Sequence, residues 1–322
     1  MKAAVYRHYG SPSVLQVRDV PRPEPGANEV LIRVHATSVS RTDCGYLRAH
    51  PFFIRLMTGL RRPKRTVLGM DFAGEVEALG AGVTSFAAGD RVFGIAPGDR
   101  GAHAEYICVP EGGAVAVIPP GLNFDAAVAC EGALYADSCL RSIGLRAGQS
   151  ILIYGASGAI GTAAVQLAKS YGAQVTAVVA TRHIELATSL GADKVIDYTK
   201  EDFTERGQTF DFVLDAVGKT TYHHCRKLLN SRGVFAATDL GPWGQTVFLS
   251  WWFAILKSRR VVIPFPRDRK AFVDFLADEM KQDKFRAVID RHYPIESIAD
   301  AYRYVERGEK TGIVVINVVS PI

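Results

Sequence analysis

Three glycines, Gly155, Gly158 and Gly161, stand three residues apart between an apolar run, Ile151 to Tyr154, and a small-residue run, Thr162 to Lys169. The order is strand, tight turn, helix. Such a turn suits one task above others, holding the paired phosphates of a dinucleotide. Gly155 permits the turn, Gly158 lets the backbone approach phosphate, and Gly161 lets the helix pack against the strand. Free N–H groups and the positive end of the helix dipole then face the anion. The backbone of Gly155, Ala156, Ser157, Gly158, Ala159, Ile160 and Gly161 is the candidate cradle.

A second feature reads the ribose. NAD-binding turns carry Asp or Glu at the end of the following strand, where it holds the 2′-hydroxyl. Here that strand, Gln174 to Val179, runs into Ala180-Thr-Arg-His183, and no carboxylate occurs before Glu185. Arg182 can pair with a 2′-phosphate, and Thr181 can donate to it. The missing acid and the available cation point to NADPH rather than NADH.

The surrounding elements must position these groups. Past the glycine turn, Gln174–Val179 reads as a strand buried on both faces. A helix follows near Ile184 to Leu190, then strands at Lys194–Asp197 and Asp211–Asp215. A helix near Thr221 to Leu229, stopped by Gly233, and a strand Val234–Thr238 complete the series. This alternation predicts a parallel, doubly wound sheet over residues 123–262. Residues 1–122 instead hold short strand-like pieces, such as Glu29–Val34, Gly74–Leu79 and Arg91–Gly94, punctuated by Gly and Pro. They suit a compact antiparallel barrel. Residues 263–322 hold helical patterns at Lys270–Lys281 and Ile298–Glu306 and a last strand at Gly312–Val318. The dinucleotide unit sits mid-chain, so the first and last segments are expected to form one domain.

At 322 residues the chain exceeds what one core usually spans, which agrees with two domains. A net charge of +5 is mild and fits an anionic cofactor as well as nucleic acid. The basic cluster Arg61-Arg-Pro-Lys-Arg65 reads as a solvated loop rather than a nucleic-acid site. The five cysteines are scattered without a Cys-x-x-Cys pair, which argues against a disulfide framework. Met1-Lys-Ala-Ala-Val-Tyr6 shows no signal-peptide core, and Val247–Leu256 is too short to span a bilayer. The expectation is a soluble, cytoplasmic protein with a small-molecule substrate and neither membrane nor nucleic acid as partner.

Several stretches together resemble the medium-chain dehydrogenase/reductase superfamily, and within it the zinc-independent, quinone oxidoreductase-like branch. Pro25–Val34, Val67–Val76 and Gly89–Gly94 look like its barrel. Gly155–Lys169, Leu190–Tyr198 and Asp215–Gly218 look like its cofactor domain. The resemblance implies a GroES-like catalytic domain, a Rossmann domain with a cleft between them, and a homodimer. It also places Tyr198 near the adenosine phosphate, and Val217, Gly218, Leu240 and Gly241 along the cofactor.

Zinc-containing relatives take ligands from a Cys two residues before a Thr-Asp pair, a His in a Gly-His-Glu turn, and a later Cys or Asp. The first two positions are Ser40 and Met70 here, neither a usual ligand. No zinc is expected. Without a Lewis acid, alcohol oxidation is hard, whereas an electron-poor quinone or conjugated enone accepts hydride readily.

By the same resemblance Asp43 matches an aspartate facing the nicotinamide cleft, though it could equally cap the turn that follows it. Tyr46 could present a phenol to substrate. Tyr135, in Cys130-Glu-Gly-Ala-Leu-Tyr-Ala136, stands where relatives usually carry Thr, and could donate a proton or stack on a flat substrate. Glu131, read as part of the same loop, is expected to be solvated or paired. Trp243, Trp251, Trp252 and Phe253 form an aromatic cluster that relatives use for the substrate wall and dimer contact. The expected activity is NADPH-dependent reduction of quinones or enones. Its rivals are zinc-free reduction of simple carbonyls and a weakly catalytic cofactor-binding protein.

Overall fold

Apolar β-branched runs build a six-stranded sheet in the middle of the chain. Its order is Lys194–Asp197, Gln174–Val179, Ser150–Tyr154, Phe210–Asp215, Leu229–Ala237, Val261–Val262, and every neighbouring pair is parallel. Ile151, Leu152, Ile153 and Val175 are wholly buried, as strands covered on both faces require. The computed structural model describes residues 1–241, 244–256, 258, 260–264, 266 and 268–319. Two compact units result, one of Met1–Glu131 with Asp268–Ile322, the other of Gly132–Arg267.

In the first unit Glu29–Val39 is the hub. It pairs antiparallel with Asp71–Leu79, Tyr106–Pro110 and Ile313–Asn317. The helix Ile298–Glu306 buries Ile298, Ala301, Tyr302 and Val305, a spacing that puts one face into the core. Its Tyr302 joins Ile32, Phe72 and Val314 in that core. One pair breaks the antiparallel expectation: Ile289–Pro294 runs parallel to Ile313–Asn317.

Three local readings need correction. Cys130–Ala136 is not a loop but the start of a helix, Cys130–Ile143. Its side chains from Cys130 to Leu134 are all buried, so no polar face marked it as helical. The helix near Thr221 is only Tyr222–Cys225, followed by one 3₁₀ turn, Arg226–Leu228. The strand after it begins at Leu229, ahead of Gly233, whose backbone lies against Phe210 so closely that a Cβ would meet the carbonyl at 3.0 Å. The helix after the glycine turn starts earlier than its small-residue run, at Ala159.

All five cysteines are free and buried. No helix among the described residues is long and apolar enough to cross a membrane.

Candidate active site

The candidate cofactor cradle is built at the carboxyl ends of the parallel strands. Gly155 follows Ser150–Tyr154 with φ +77°, a left-handed turn that glycine adopts freely. A Cβ on Gly161 would lie 2.1 Å from the Gly155 carbonyl oxygen, so helix and turn pack through that glycine. Gly158 caps the helix Ala159–Ser170 in an extended conformation. A Cβ there would meet nothing nearer than 3.8 Å, so the space over the turn is open. The first helical turn leaves its N–H groups without intrahelical partners, and they face that space. Residues 155–161 therefore fit a pyrophosphate. Gly132 was missed as part of this packing: a Cβ on it would meet the Ala159 backbone at 2.9 Å.

Asp215 organises the next loop. It is buried, and burial raises its pKa, while its oxygens accept N–H bonds from Val217, Gly218 and Thr220 at 2.9 to 3.0 Å. Gly218 turns at φ +74°, and Val217 projects into solvent beside Gly155. Beyond the next strand, Gly241 takes φ +70° and donates its N–H to Asp239, while Leu240 is half-buried.

At the ribose end the structure sorts the candidates. Thr181 donates its hydroxyl to Asp197 at 2.6 Å, so its proton is engaged within the protein. Hydroxyls of Thr181 and Thr199 hold the Asp197 pKa down to about 2. Arg182 is exposed and donates from Nε to His183 at 3.0 Å. Tyr198 is half exposed and tilts against Tyr154.

In the first unit a second cluster of candidate residues surrounds the helix Arg41–Arg48. Ser40 and Asp43 form a reciprocal capping box. Asp43 is fully buried: Oδ2 accepts from the Ser40 amide and hydroxyl, and Oδ1 from the Gly69 amide at 3.1 Å. It is thus placed to position the Ser40 and Gly69 turns rather than to touch substrate. Asp71 is equally buried, accepts from the amide and hydroxyl of Ser38 and from the Glu131 amide, and is pushed up to about 6 by burial. Glu131 accepts from the Thr42 hydroxyl at 2.7 Å, and burial raises it as well. His103 donates from Nε2 to the Ser38 carbonyl and receives the Tyr302 hydroxyl at Nδ1, with burial holding it neutral.

Tyr46 is half-buried. With Tyr6, Met57, Leu68, Met70 and Arg65 it lines a cavity of about 370 Å³. The Arg65 guanidinium sits 5.9 Å from the Tyr46 ring centroid and donates to the Arg100 carbonyl. Tyr135 is half-buried on the helix Cys130–Ile143, between the fully buried Leu134 and Ala136. Trp251 and Trp252 are exposed, Phe253 packs on Tyr222, and Trp243 lies outside the described residues.

Sequence reasoning did not single out Asp71, His103 and Asp215, and it expected Glu131 to be solvated or paired, where the structure buries it and holds it through the Thr42 hydroxyl. Asp71 and Asp215 lie inside recognisable motifs, but nothing in their spacing signals that they are buried and saturated with donors.

A parallel sheet with a glycine cradle, carried in one chain with a GroES-like domain, defines a nicotinamide-dependent oxidoreductase. Residues 26–120 match the alcohol dehydrogenase GroES-like domain, and residues 190–316 the zinc-binding dehydrogenase domain. The chain is 34% identical to the 2-methylene-furan-3-one reductase of Solanum lycopersicum, over 98% of its own length and 79% of that protein's. It is 31% identical to the chloroplastic NADPH-dependent alkenal/one oxidoreductase of Arabidopsis thaliana, with coverage of 98% and 79%. The solved quinone oxidoreductase from Coxiella burnetii superposes with a TM-score of 0.86 at 29% identity, over 99% of both chains. The chain belongs to the medium-chain dehydrogenase/reductase superfamily, in its quinone oxidoreductase-like branch.

Proposed function

We propose that the protein reduces quinones or α,β-unsaturated carbonyl compounds with NADPH, without zinc. One observation carries the reading. At the positions where zinc-bearing relatives hold their metal, Ser40 is committed to the capping box with Asp43, and Met70 presents a thioether to the Tyr46 cavity. These groups do not fit zinc. Among the described residues no three His, Cys, Asp or Glu side chains gather as metal ligands. An acceptor must then be electron-poor before it binds.

The bound cofactor supplies hydride. The chain supplies the rest: the turn at 155–161 takes the pyrophosphate, and the exposed Arg182 favours a 2′-phosphate. Tyr46, which lines its cavity, or Tyr135 is assigned the delivery of a proton to the developing enolate or hydroquinone oxygen, with water as the alternative donor. The exposed Trp251 and Trp252 support a homodimer as part of the same reading.

The test is NADPH oxidation followed by absorbance with a quinone, an enone and a plain aldehyde, each with and without a chelator. Chelator-resistant turnover of quinone or enone is expected. Turnover of the plain aldehyde alone, or its loss on chelation, would overturn the reading.

A further inference from the structure

Of the basic cluster Arg61–Arg65, Lys64 and Arg65 line the Tyr46 cavity while Arg61 and Arg62 do not, and the surroundings of the cluster are not those of an ordinary solvated loop. Between Asp43 and Asp71 the chain carries Arg48, Arg55, Arg61, Arg62, Lys64 and Arg65 and not one Asp or Glu. Beside that charge stand five large apolar side chains in the open: Phe52 (69% exposed), Phe53 (48%), Leu56 (70%), Met57 (70%) and Leu60 (62%). Isolated exposed apolar residues are common, but a run of five within nine positions marks a contact surface.

The segment is held in shape from behind. Tyr9 bonds both the Gly59 carbonyl, at 2.7 Å, and the Thr58 hydroxyl, at 2.8 Å. The Lys64 amide bonds the Thr58 carbonyl at 2.8 Å, and the Arg55 guanidinium lies over the Tyr9 ring. Leu56 and Met57 are therefore presented by a short, anchored helix, Ile54–Thr58, flanked by Phe52, Phe53 and Leu60, and little ordering is needed for them to dock. Arg61, Arg62 and Lys64 are exposed, and no ion pair among the described residues involves them.

We propose that residues 52–65 dock the protein on an anionic lipid surface, with the apolar side chains entering the headgroup region and Arg61, Arg62 and Lys64 pairing with lipid phosphate and carboxylate. Charge decides between this and a second copy. A twofold contact places the same patch against itself, which would bring the unpaired cations together. A bilayer leaflet offers apolar depth and negative charge at once, the combination that basic, Phe- and Leu-bearing interfacial segments require. This revises the expectation of no membrane partner, and it stands whether or not the reductase reading holds.

The test is co-sedimentation of the full chain with phosphatidylcholine vesicles, with and without phosphatidylserine. Binding to the anionic vesicles, weakened by added salt, is expected. Arg61→Glu/Arg62→Glu and Phe52→Ser/Leu56→Ser should each lower the partition coefficient by more than about tenfold, with unchanged melting temperatures. Equal binding to neutral and anionic vesicles, no binding at low salt, or variants that bind like the parent would each overturn the proposal. So would a dimer, seen by sedimentation, that Phe52→Ser/Leu56→Ser dissociates. Capture of an acidic protein without vesicle binding would do the same.

Discussion

The hydroxyl of Thr42 donates to the carboxylate of Glu131 across 2.7 Å, linking positions 89 residues apart in the chain. Burial is what raises the Glu131 pKa above its ordinary 4.5, the nearby Asp43 and Asp71 charges add to it, and Thr42 and Lys310 oppose it. The folded protein thus holds this proton more tightly than the unfolded chain does. Stability from this group is present in acid and is lost as pH rises from about 4.5 through the raised value. Glu131→Gln should therefore be more stable than the parent at neutral pH, by about 1–2 kcal/mol, with the gap closing in acid. Urea unfolding midpoints across that range decide it, and a gap that widens in acid refutes the sign.

Gly161 and Gly158 should fail differently. Gly161→Ala drives a methyl to 2.1 Å from the Gly155 carbonyl and should destabilise the fold by about 1–3 kcal/mol. Gly158→Ala has room and should melt like the parent, yet bind NADPH about tenfold more weakly, because the methyl fills the space meant for phosphate. Thermal melts beside cofactor titration separate the two effects.

Arg182→Ala should weaken NADPH binding by about tenfold or more, the loss of a charge-assisted pair, and leave NADH nearly unchanged. Binding of both cofactors by fluorescence measures the ratio. If the two affinities fall together, Arg182 does not read the 2′-phosphate.

Tyr46→Phe and Tyr135→Phe should be compared with NADPH affinity as the control. A phenol that gives the proton should lose about 10²-fold in kcat on conversion to Phe with cofactor binding intact. A packing or stacking role instead leaves kcat nearly whole and moves KM.

Ser40→Ala removes the hydroxyl that caps the helix Arg41–Arg48 and should cost about 1 kcal/mol. Asp43→Ala should cost more, because the Gly69 amide and the Ser40 amide lose their acceptor together. The pair of unfolding midpoints tests whether Asp43 is a positioning residue.

The parts of this structure legible in sequence are those with strong local grammar. Gln174–Val179 is largely apolar between turns, and Lys194–Asp197 is a short apolar pair framed by charge; both strands fall where the sequence places them. Ile298–Glu306 follows its spacing of apolar residues without error. Leu229–Ala237 was obscured by Asn230, Ser231 and Arg232, polar residues in a stretch where the pairing with Phe210–Asp215 slips register. Cys130–Ile143 was obscured by the opposite cause, burial on nearly every side, which erases the periodicity that identifies a helix. The burial of Asp71, Glu131 and Asp215 left no mark in the sequence. What gives each its character is the donors aimed at it, distant in the chain for Asp71 and Glu131 and supplied by the turn just after it for Asp215.

The strand Ile313–Asn317 lies between Ile289–Pro294 and Glu29–Val39, so it is an interior member of its sheet supplied from beyond the dinucleotide unit in chain order. On a ribosome that unit, Gly132–Arg267, can close before Ile313–Asn317 emerges, while the sheet around Glu29–Val39 must wait for it. During that interval Glu29–Val39 offers an unpaired strand edge to whatever is nearby. A truncation that removed only Ile313–Asn317 would make that transient exposure permanent.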